Sequence, residues 1–382
     1  MRVAIISDTF MPQINGVTKT MTRLKENFDK RSDVEYRFFV PDYQMKESLS
    51  STIAFKSLRL FLYPECKVAL PNYPLFKKQL DAFQPDILHI KTQGTMGLMG
   101  LRYAETKGTP VISTYTTNLS AYLKSYNLQI LEKPLWAYLK KFHNNCAVNL
   151  VPSRYSKLQL EQNNIENLKI WKRGVDLEAF SPKFRNEELI QTLKTKKDEI
   201  LLLYVGRIAS EKNLDLLMDT AKKLNETEQA FQLIMVGDGP YREVLEEQAI
   251  PNVKFVGYQT GEALAEYYAS CDIFVFPSTS ETFGNVILEA MASKTVVLSV
   301  NEGGVQENII SPYNAIAVDE VTAEDFYENI VALIESPDSR RFLAENAYTY
   351  ARKKSWSNLI DTLVSTYKEV IEASKEVIER VS

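Results

Sequence analysis

The sequence predicts an α/β protein with two doubly wound domains, in which helices cover both faces of a parallel sheet. Short apolar runs that suit buried strands alternate with segments of helical spacing, which is the rhythm of β-α-β units. The alternation stops at a polar stretch near the middle of the chain and then starts again. The length of 382 residues suits two domains, because domains average roughly 150 residues.

The first half begins with four consecutive apolar residues, Val3 to Ile6, which predict a buried strand. A loop follows, and a helix is expected from about Thr18. We assign residues 1–180 to an N-terminal domain. Its further strands are predicted at 34–40, 87–90, 110–114 and 146–152, with helical segments between most of them.

Residues 181–198 are polar and charged, with Pro182 near their start, so we expect a linker there. The rhythm resumes in a C-terminal domain at 199–355, and residues 356–382 have the apolar spacing of a helix. The strands of this domain are predicted at 199–205, 232–236, 253–257, 273–277 and 295–300, and its helices at 213–224, 240–248, 262–268 and 285–293.

The composition argues against several classes of protein. The three cysteines, Cys66, Cys146 and Cys271, are too far apart in sequence for a zinc ribbon, a redox pair or a disulfide framework. Two scattered histidines do not supply a His-rich metal site, and no Asp-x-Asp pair is present to hold a divalent cation on a diphosphate. The sequence has no signal-peptide pattern and no apolar run of about 18 residues. We therefore expect a cytoplasmic protein, or one that lies on the cytosolic face of a membrane.

The two halves of the chain differ in charge. Residues 1–180 contain 25 Lys and Arg against 16 Asp and Glu, a balance of +9. The remaining residues contain 20 against 33, a balance of −13. This asymmetry predicts an anionic partner for the first half only.

Ligands of open parallel sheets bind beyond the carboxyl ends of the strands, so the loops there are the candidate sites. After the first strand, Gly16 would let backbone N–H groups approach an anion, although an Asn-Gly pair is more often only a turn. After the strand that ends at Val205, Arg207 and Lys212 offer two cations that suit a diphosphate. The alternative is a solvated pair beside Glu211.

Two further loops carry glycines. Gly237 and Gly239 flank Asp238 and allow a tight turn beside a ligand, but no third glycine completes a dinucleotide fingerprint. A second junction, Gly303-Gly304, follows the last strand and could reach a bound sugar.

The strongest local signal is a pair of glutamates at Glu-x7-Glu spacing, Glu281 and Glu289. Glu281 would lie on a loop, whereas Glu289 falls among apolar helix residues and should need a partner such as a ribose diol. The alternative for Glu289 is a carboxylate on the polar face of the helix. The backbone N–H groups that would present a helix N-terminus to a phosphate belong to Phe283, Gly284 and Asn285.

Two hydrolase classes fit poorly. A glycoside hydrolase needs two carboxylates that flank one glycosidic bond, and Glu281 and Glu289 are expected at different depths. A Ser-His-Asp hydrolase would need a nucleophile elbow, which the sequence lacks.

These motifs resemble the retaining glycosyltransferases of family 4, which have the GT-B fold of two Rossmann-like domains facing a cleft. The resemblance covers nearly the whole chain, and its most specific element is the Glu281–Glu289 motif. Within the family, the chain resembles members that glycosylate lipids, such as sulfoquinovosyl-, mannosyl- or glucosyl-diacylglycerol synthases. Supporting motifs are Asn15-Gly16-Val17, Arg207 with Lys212, Val151-Pro152-Ser153, Gly303-Gly304 and the run at 170–176.

The resemblance implies a nucleoside-diphosphate sugar as donor, with a UDP-sugar favoured and a GDP-sugar possible. Arg207 and Lys212 would hold the diphosphate and stabilise the leaving oxygen. Glu289 would bind the ribose, Glu281 the transferred sugar, and Gly16 would let the N-terminal domain close on the phosphates. No metal or other cofactor is implied. The anomeric configuration would be retained, and the helix at 356–382 would cross back to the N-terminal domain.

The chain departs from the family at one position. Members usually carry a His after the fourth strand of the first domain, where it contacts the donor sugar, and here Thr116 stands in its place. A Thr hydroxyl is shorter and uncharged. His89 is a candidate to fill the gap, although a histidine at a strand end is more often only a satisfied structural residue.

Basic residues in the first half are mixed with aromatic ones, which suits an anionic bilayer surface. The alternative is core aromatics beside solvated lysines. No recognition motif supports nucleic acid as a partner. We therefore expect a membrane lipid acceptor such as diacylglycerol or a glycolipid, with a soluble or polymeric carbohydrate acceptor or a non-catalytic sugar-nucleotide binder as alternatives. The basic residues are Lys56, Arg59, Lys67, Lys77, Lys78, Lys124, Lys133, Lys140 and Lys141. The aromatic and apolar residues among them are Phe55, Leu60, Phe61, Leu62, Tyr63, Phe76, Tyr122, Leu123, Tyr126, Leu131, Leu135 and Trp136.

Overall fold

The computed structural model describes the chain except for residues 14, 15, 44–50, 61, 62, 70, 71, 119, 121, 122, 124–127 and 382, and except for the side chains of 58–60, 63–68 and 377–381. The chain forms two compact units. The first unit comprises Met1–Thr117, Gln129–Lys172 and Ser357–Ser382, and the second comprises Asn118–Leu128 and Arg173–Trp356.

The strands confirm the predicted fold class. Each unit contains one parallel sheet, and the first unit also has an antiparallel pair, β4 and β5. In chain order the strands are β1 Arg2–Ile6, β2 Glu35–Pro41, β3 Thr52–Phe55, β4 Ser57–Leu60, β5 Tyr63–Ala69, β6 Ile87–Ile90, β7 Val111–Thr114, β8 Val148–Val151, β9 Leu168–Ile170, β10 Ile200–Val205, β11 Phe231–Val236, β12 Val253–Gly257, β13 Ile273–Phe276, β14 Val296–Val300 and β15 Ile316–Val318.

Helices alternate with these strands, as a parallel sheet requires. The described α-helices are α1 Gly16–Phe28, α2 Tyr73–Phe83, α3 Thr95–Lys107, α4 Glu132–His143, α5 Arg154–Gln162, α6 Glu187–Leu193, α7 Leu214–Glu226, α8 Arg242–Glu246, α9 Gly261–Ser270, α10 Asn285–Ala292, α11 Ala323–Glu335, α12 Pro337–Arg352 and α13 Trp356–Val381. In the part of the chain that is described, none of the helices combines the length and the apolar character needed to span a bilayer.

The first sheet has seven strands in the order β3-β2-β1-β6-β7-β8-β9. Its central strands β6 and β7 are wholly buried, including their polar residues His89, Ser113 and Thr114. Helix α13 packs on this unit: the Trp171 indole N–H donates to the Leu359 carbonyl over 2.9 Å, and Lys169 pairs with Glu369 at 2.8 Å.

The second sheet has six strands in the order β12-β11-β10-β13-β14-β15. Strand β10 pairs with β11 on one side and with β13 on the other, all in parallel. Its core is one continuous apolar cluster that includes Leu203, Phe274 and Leu288, each 0% exposed. This sheet sets the position of the loops described below.

The segment predicted as a linker, 181–198, contains helix α6. The Asn186 side chain caps this helix by accepting hydrogen bonds from the N–H groups of Glu188 and Leu189. Ile190 and Leu193 lie three residues apart, on one face, and are buried in the core of the second unit. Because most residues of this segment are charged or polar, its short apolar face is not evident from the sequence, and the helix was not predicted.

Candidate functional site

The second sheet changes its direction of winding between β10 and β13. Strands β11 and β12 extend from one side of this point, and β14 and β15 extend from the other. In open parallel sheets, ligands bind outside the carboxyl ends of the strands at such a point. The loop after β10, residues 206–213, and the loop after β13, residues 277–284, therefore form the first place to look for a site.

These two loops are joined by an ion pair. The Lys212 Nζ lies 2.5 Å from the Glu281 Oε1, although the residues are 69 positions apart. Lys212 ends a 3-10 turn, Ser210–Lys212, and its side chain is 12% exposed, against 24% for Glu281. The structure thus brings together a cation and a carboxylate that the sequence analysis placed in one site on separate grounds.

Arg207 has its own carboxylate partner. Its Nη2 lies 2.6 Å from the Oε1 of Glu211, whose side chain is wholly buried. The Ser280 hydroxyl donates to the backbone oxygen of Glu211 over 3.0 Å and ties the two loops together a second time. From the sequence, Glu211 was expected only as the neighbour of a solvated pair. Its burial could not be predicted from that polar loop, where five of the seven residues 206–212 are polar or glycine.

A buried tyrosine of β10 forms a hydrogen bond with the loop that follows this strand. The Tyr204 hydroxyl donates to the Arg207 carbonyl over 3.0 Å. Burial above all, and then the charges of Glu281 and Glu211, raise the pKa of Tyr204 well above its usual value. The phenol therefore keeps its proton and its donor role at neutral and moderately alkaline pH.

Gly237 and Asp238 hold the same loop from the side. Gly237 has a φ of +148°, and a Cβ on it would lie 1.8 Å from the Gly206 carbonyl oxygen, so the approach requires glycine. The backbone oxygen of Asp238 accepts a hydrogen bond from the Ile208 N–H over 2.9 Å, while its side chain is exposed. This turn therefore shapes the loop that carries Arg207.

Gly303 and Gly304 brace the loop after β13. The Gly304 N–H donates to the Glu281 carbonyl over 2.8 Å, and a Cβ on Gly304 would lie 2.1 Å from the Thr282 carbonyl carbon. Both glycines are buried. The two glycines therefore support the backbone of the loop that carries Glu281, and their contact with a bound sugar stays a prediction.

Helix α10 begins where this loop ends. Gly284 precedes the helix with a φ of +75°, and among the described residues no side chain caps the start of the helix. Asn285 is the first helical residue and is half-buried, whereas Phe283 is 3% exposed and belongs to the core. Only the backbone of Phe283 could therefore contribute to ligand binding.

Glu289 lies in the middle of α10 and is 6% exposed, so it is not a carboxylate on the polar face of the helix. The Tyr268 hydroxyl, on α9, donates to its Oε2 over 3.0 Å. Burial first, and then the Glu289 charge, raise the pKa of Tyr268 well above its usual value. The sequence predicts that Glu289 needs a partner, but it does not identify Tyr268, because the contact joins two different helices.

The first sheet has its own point of reversal, between β1 and β6. Gly16 is the first residue of α1 and is exposed, while Asn15 lies outside the described residues. Asp8, directly after β1, accepts hydrogen bonds from the Met96 N–H over 2.9 Å and from the Thr92 hydroxyl over 2.8 Å. It thereby fixes the start of α3 beside the loop that leads to Gly16.

His89 does not take over the role of the family histidine that Thr116 replaces. Its side chain is 0% exposed; its Nδ1 lies 2.5 Å from the Tyr367 hydroxyl and its Nε2 lies 2.6 Å from the Thr114 hydroxyl. Both ring nitrogens are thus occupied inside the first unit, between the sheet and α13. Thr116 is half-buried just beyond β7.

The residues expected to form a basic and aromatic surface fall into two groups, one beside the core of the first unit and one exposed around α4. Phe55 and Phe76 are buried in the core of the first unit with their rings 5.4 Å apart, so the lysines near them border a core. Around α4 the pattern differs: Ile130 is 87% exposed and Leu131 47%. Exposed lysines lie on the adjoining helix at positions Lys133, Lys140 and Lys141. Phe61, Leu62, Tyr122, Lys124 and Tyr126 lie outside the described residues, as do the side chains of Arg59, Leu60, Tyr63 and Lys67.

Two parallel-sheet α/β units of this topology are characteristic of the GT-B fold. The solved structure of sucrose-phosphate synthase from Thermosynechococcus elongatus has this fold and superimposes with a TM-score of 0.82 at 20% identity, covering 97% of this chain and 99% of that one. Sequence models of two families match: "Glycosyltransferase Family 4" over residues 14–179 and "Glycosyl transferases group 1" over 185–350.

Named relatives match over most of the chain as well. A GDP-mannose-dependent alpha-mannosyltransferase of Corynebacterium glutamicum is 30% identical over 99% of this chain and 91% of its own length. An alpha-monoglucosyldiacylglycerol synthase of Streptococcus pneumoniae is 28% identical over 78% of this chain and 71% of its own length. The chain belongs to glycosyltransferase family 4, and its relatives include enzymes that glycosylate lipids.

Proposed function

We propose that this protein is a retaining, metal-independent glycosyltransferase that moves a hexosyl group from a nucleoside-diphosphate sugar to a hydroxyl of a membrane lipid. The observation that carries the proposal is the ion pair between Lys212 and Glu281, which joins the two loops at the reversal point of the second sheet. Arg207 lies on the same loop as Lys212 and pairs with Glu211. Cations at this position suit a diphosphate, and a carboxylate beside them suits sugar hydroxyls.

In this proposal the two cations stabilise the leaving group. As the bond between C1 of the sugar and the phosphate oxygen breaks, negative charge grows on that oxygen. Arg207 and Lys212 would stabilise this charge, which is the usual role of fixed cations in group transfer. They would supply the positive charge that a metal ion provides in other enzymes.

Glu289 would bind the ribose hydroxyls from its buried position on α10. Tyr268 holds one oxygen of this carboxylate, so the carboxylate is kept in one orientation. A carboxylate that is already oriented loses less entropy when it accepts hydrogen bonds from a diol. This supports a binding role that depends on the Tyr268 hydroxyl.

Retention would follow from attack on the face of the sugar that the phosphate leaves. The acceptor oxygen bonds to C1, the C1–phosphate bond breaks, and the acceptor proton passes to the departing phosphate oxygen. The leaving group then acts as the base, so the mechanism needs no enzymic base.

For the donor, the sequence analysis favours a UDP-sugar, while the name of the relative that matches nearly the full length specifies GDP-mannose. GDP-mannose is therefore the first donor to test, followed by UDP-glucose. For the acceptor, the name of the second relative specifies a diacylglycerol product, and the exposed Ile130, Leu131 and lysines of α4 suit an anionic bilayer. We accordingly propose peripheral binding at the cytosolic face of a membrane.

The proposal is tested by a transfer assay with purified protein, each donor, and vesicles of anionic lipid with or without diacylglycerol. We expect nucleoside diphosphate and a new glycolipid in equal amounts, only with acceptor, at a rate that EDTA does not change. NMR of the glycolipid should show the anomeric configuration of the donor. Donor binding without transfer to any lipid or carbohydrate would instead support a non-catalytic binder.

A further inference from the structure

We propose that Glu281 makes the site bind the intact donor more tightly than the nucleoside diphosphate that remains after transfer. The Glu281 carboxylate would pair with Lys212 when no sugar is present and would bind the sugar hydroxyls in its place when the donor is bound. This inference rests on the function proposed above. It concerns product release, which the fixed positive charges of the site would otherwise slow.

The two cations have partners of different kinds. Glu211 lies on the same loop as Arg207, its side chain is wholly buried, and its backbone is held by Ser280. Glu281 reaches Lys212 from another loop and keeps 24% of its side chain exposed. Glu211 is therefore a permanent partner of Arg207, whereas Glu281 is open to a competing ligand.

The side chain of Glu281 can move while its backbone stays in place. The backbone of Glu281 is fixed by the hydrogen bond from the Gly304 N–H, 2.8 Å long. The carboxylate at the end of its flexible side chain is not fixed in the same way. Glu281 can thus change partners by rotating its side chain, while the loop and the nearby start of α10 stay in place.

The nucleotide sugar and the nucleoside diphosphate also differ in charge. A nucleoside diphosphate has a terminal phosphate with a second ionisation near neutral pH, and this charge is absent when a sugar is attached. With the sugar present, its hydroxyls donate to Glu281, and the Lys212 ammonium can turn to the diphosphate. Without the sugar, the Glu281 carboxylate stays on Lys212 and repels the additional phosphate charge.

The test is the variant Glu281→Gln, which keeps the size of the side chain and removes its charge. Calorimetry should show that it binds the nucleoside diphosphate about five- to tenfold more tightly than the wild-type protein, while its affinity for the nucleotide sugar stays the same or falls. Raising the salt concentration should reduce the gain, since the repulsion is between partly exposed charges.

Two controls separate this charge effect from general effects. Glu302→Gln removes an exposed carboxylate near the same loops and should change neither affinity by more than about twofold. Glu281→Asp keeps the charge and should retain the weak product binding of the wild-type protein. Thermal unfolding of each variant checks that the fold is intact.

The outcomes are distinct. Unchanged or weaker product binding by Glu281→Gln, with normal product binding by the wild-type protein, would overturn this inference and leave the donor site standing. An equal gain for product and donor would overturn it as well. Absence of nucleotide binding by every protein would overturn the proposed function, and this inference with it.

Discussion

The Tyr268 hydroxyl donates a hydrogen bond to the Glu289 carboxylate over 3.0 Å, between two helices of the second unit. Tyr268 is 0% exposed and Glu289 is 6% exposed. A carboxylate in such surroundings is costly unless hydrogen bonds stabilise it. The pair therefore connects the stability of the second unit to the residue that we propose to bind ribose.

Replacing Tyr268 by Phe removes this hydrogen bond and little else. We expect Tyr268→Phe to lower the free energy of unfolding by about 1.5–3 kcal/mol, the range for hydrogen bonds to charged groups. Nucleotide affinity should fall with it, since Glu289 loses its orientation. Urea denaturation and calorimetry measure the two effects. Tyr267→Phe, on the same helix, is the matched control and should change both by less than about 0.5 kcal/mol. Equal effects of the two variants would contradict the role of Tyr268.

Arg207 is predicted to act in the transition state. Arg207→Ala should lower kcat by about 10²- to 10³-fold, the effect of losing one charge-stabilising group, with a smaller change in KM. Steady-state kinetics with saturating acceptor measures this. Arg242 is a good control because it also pairs with a glutamate four residues later, at 2.7 Å. Near-normal kcat in Arg207→Ala, or an equal loss in Arg242→Ala, would mean that the diphosphate is held elsewhere.

The strands and loops of this site could be predicted from the sequence, but most of the side-chain contacts within it could not. Strands such as β10 and β13 are buried on both faces, so their continuous apolar runs identify them without any long-range information. The loops that follow such strands in a parallel sheet are then the expected site, and Lys212 and Glu281 do meet there. The residues that complete the site were not found, because Glu211, Ser280 and Tyr268 act through contacts that only the folded chain creates.

Other failures have local causes. Helix α6 was taken for a linker because charged residues surround its short apolar face. For Phe55 and Phe76, a membrane surface and a core position were both left open, because sequence alone does not separate a core aromatic from an exposed one; the structure places both in the core. His89 was considered for a ligand role because its partner Tyr367 is 278 residues away on α13.

His143 predicts a pH dependence of stability in the first unit. Burial lowers the pKa of His143 to about 4, against about 6.5 in an unfolded chain. Because the unfolded state takes up the proton first, stability is lost as the pH falls below about 6.5 and continues to fall until about pH 4. This group alone should cost roughly 2 kcal/mol between neutral pH and pH 5.

Urea denaturation of the wild-type protein and of His143→Gln at both pH values measures this contribution. The variant lacks the titrating ring and should lose correspondingly less stability on acidification. Its absolute stability is expected to be lower, since the His143 Nδ1 lies 2.8 Å from the Ser113 hydroxyl. Parallel pH profiles for the two proteins would show that His143 is charged or exposed in the native state.

The lysines of α4 are predicted to contribute to membrane binding. Charge reversal of Lys140 and Lys141 to Glu should weaken binding to anionic vesicles by more than about tenfold, since each basic residue near such a surface contributes about 1 kcal/mol. Sedimentation with vesicles measures this. Lys196 and Lys197 are an exposed neighbouring pair in the second unit, and their reversal makes the same change in net charge. If both double variants lose binding equally, net charge and not α4 explains the attraction.

The central claim is that the second unit holds a nucleoside-diphosphate donor, and a thermal-shift panel tests it most directly. A ligand that binds only the native state stabilises it by RT ln(1 + [L]/Kd), or about 2.7 kcal/mol at a hundredfold excess over Kd. We expect the nucleotides of one base, either guanine or uracil, to raise the melting temperature more than those of the other. In the variant Glu289→Ala this shift should be abolished. No shift with any guanine, uracil or adenine nucleotide would contradict the roles assigned to Arg207, Lys212, Glu281 and Glu289 together.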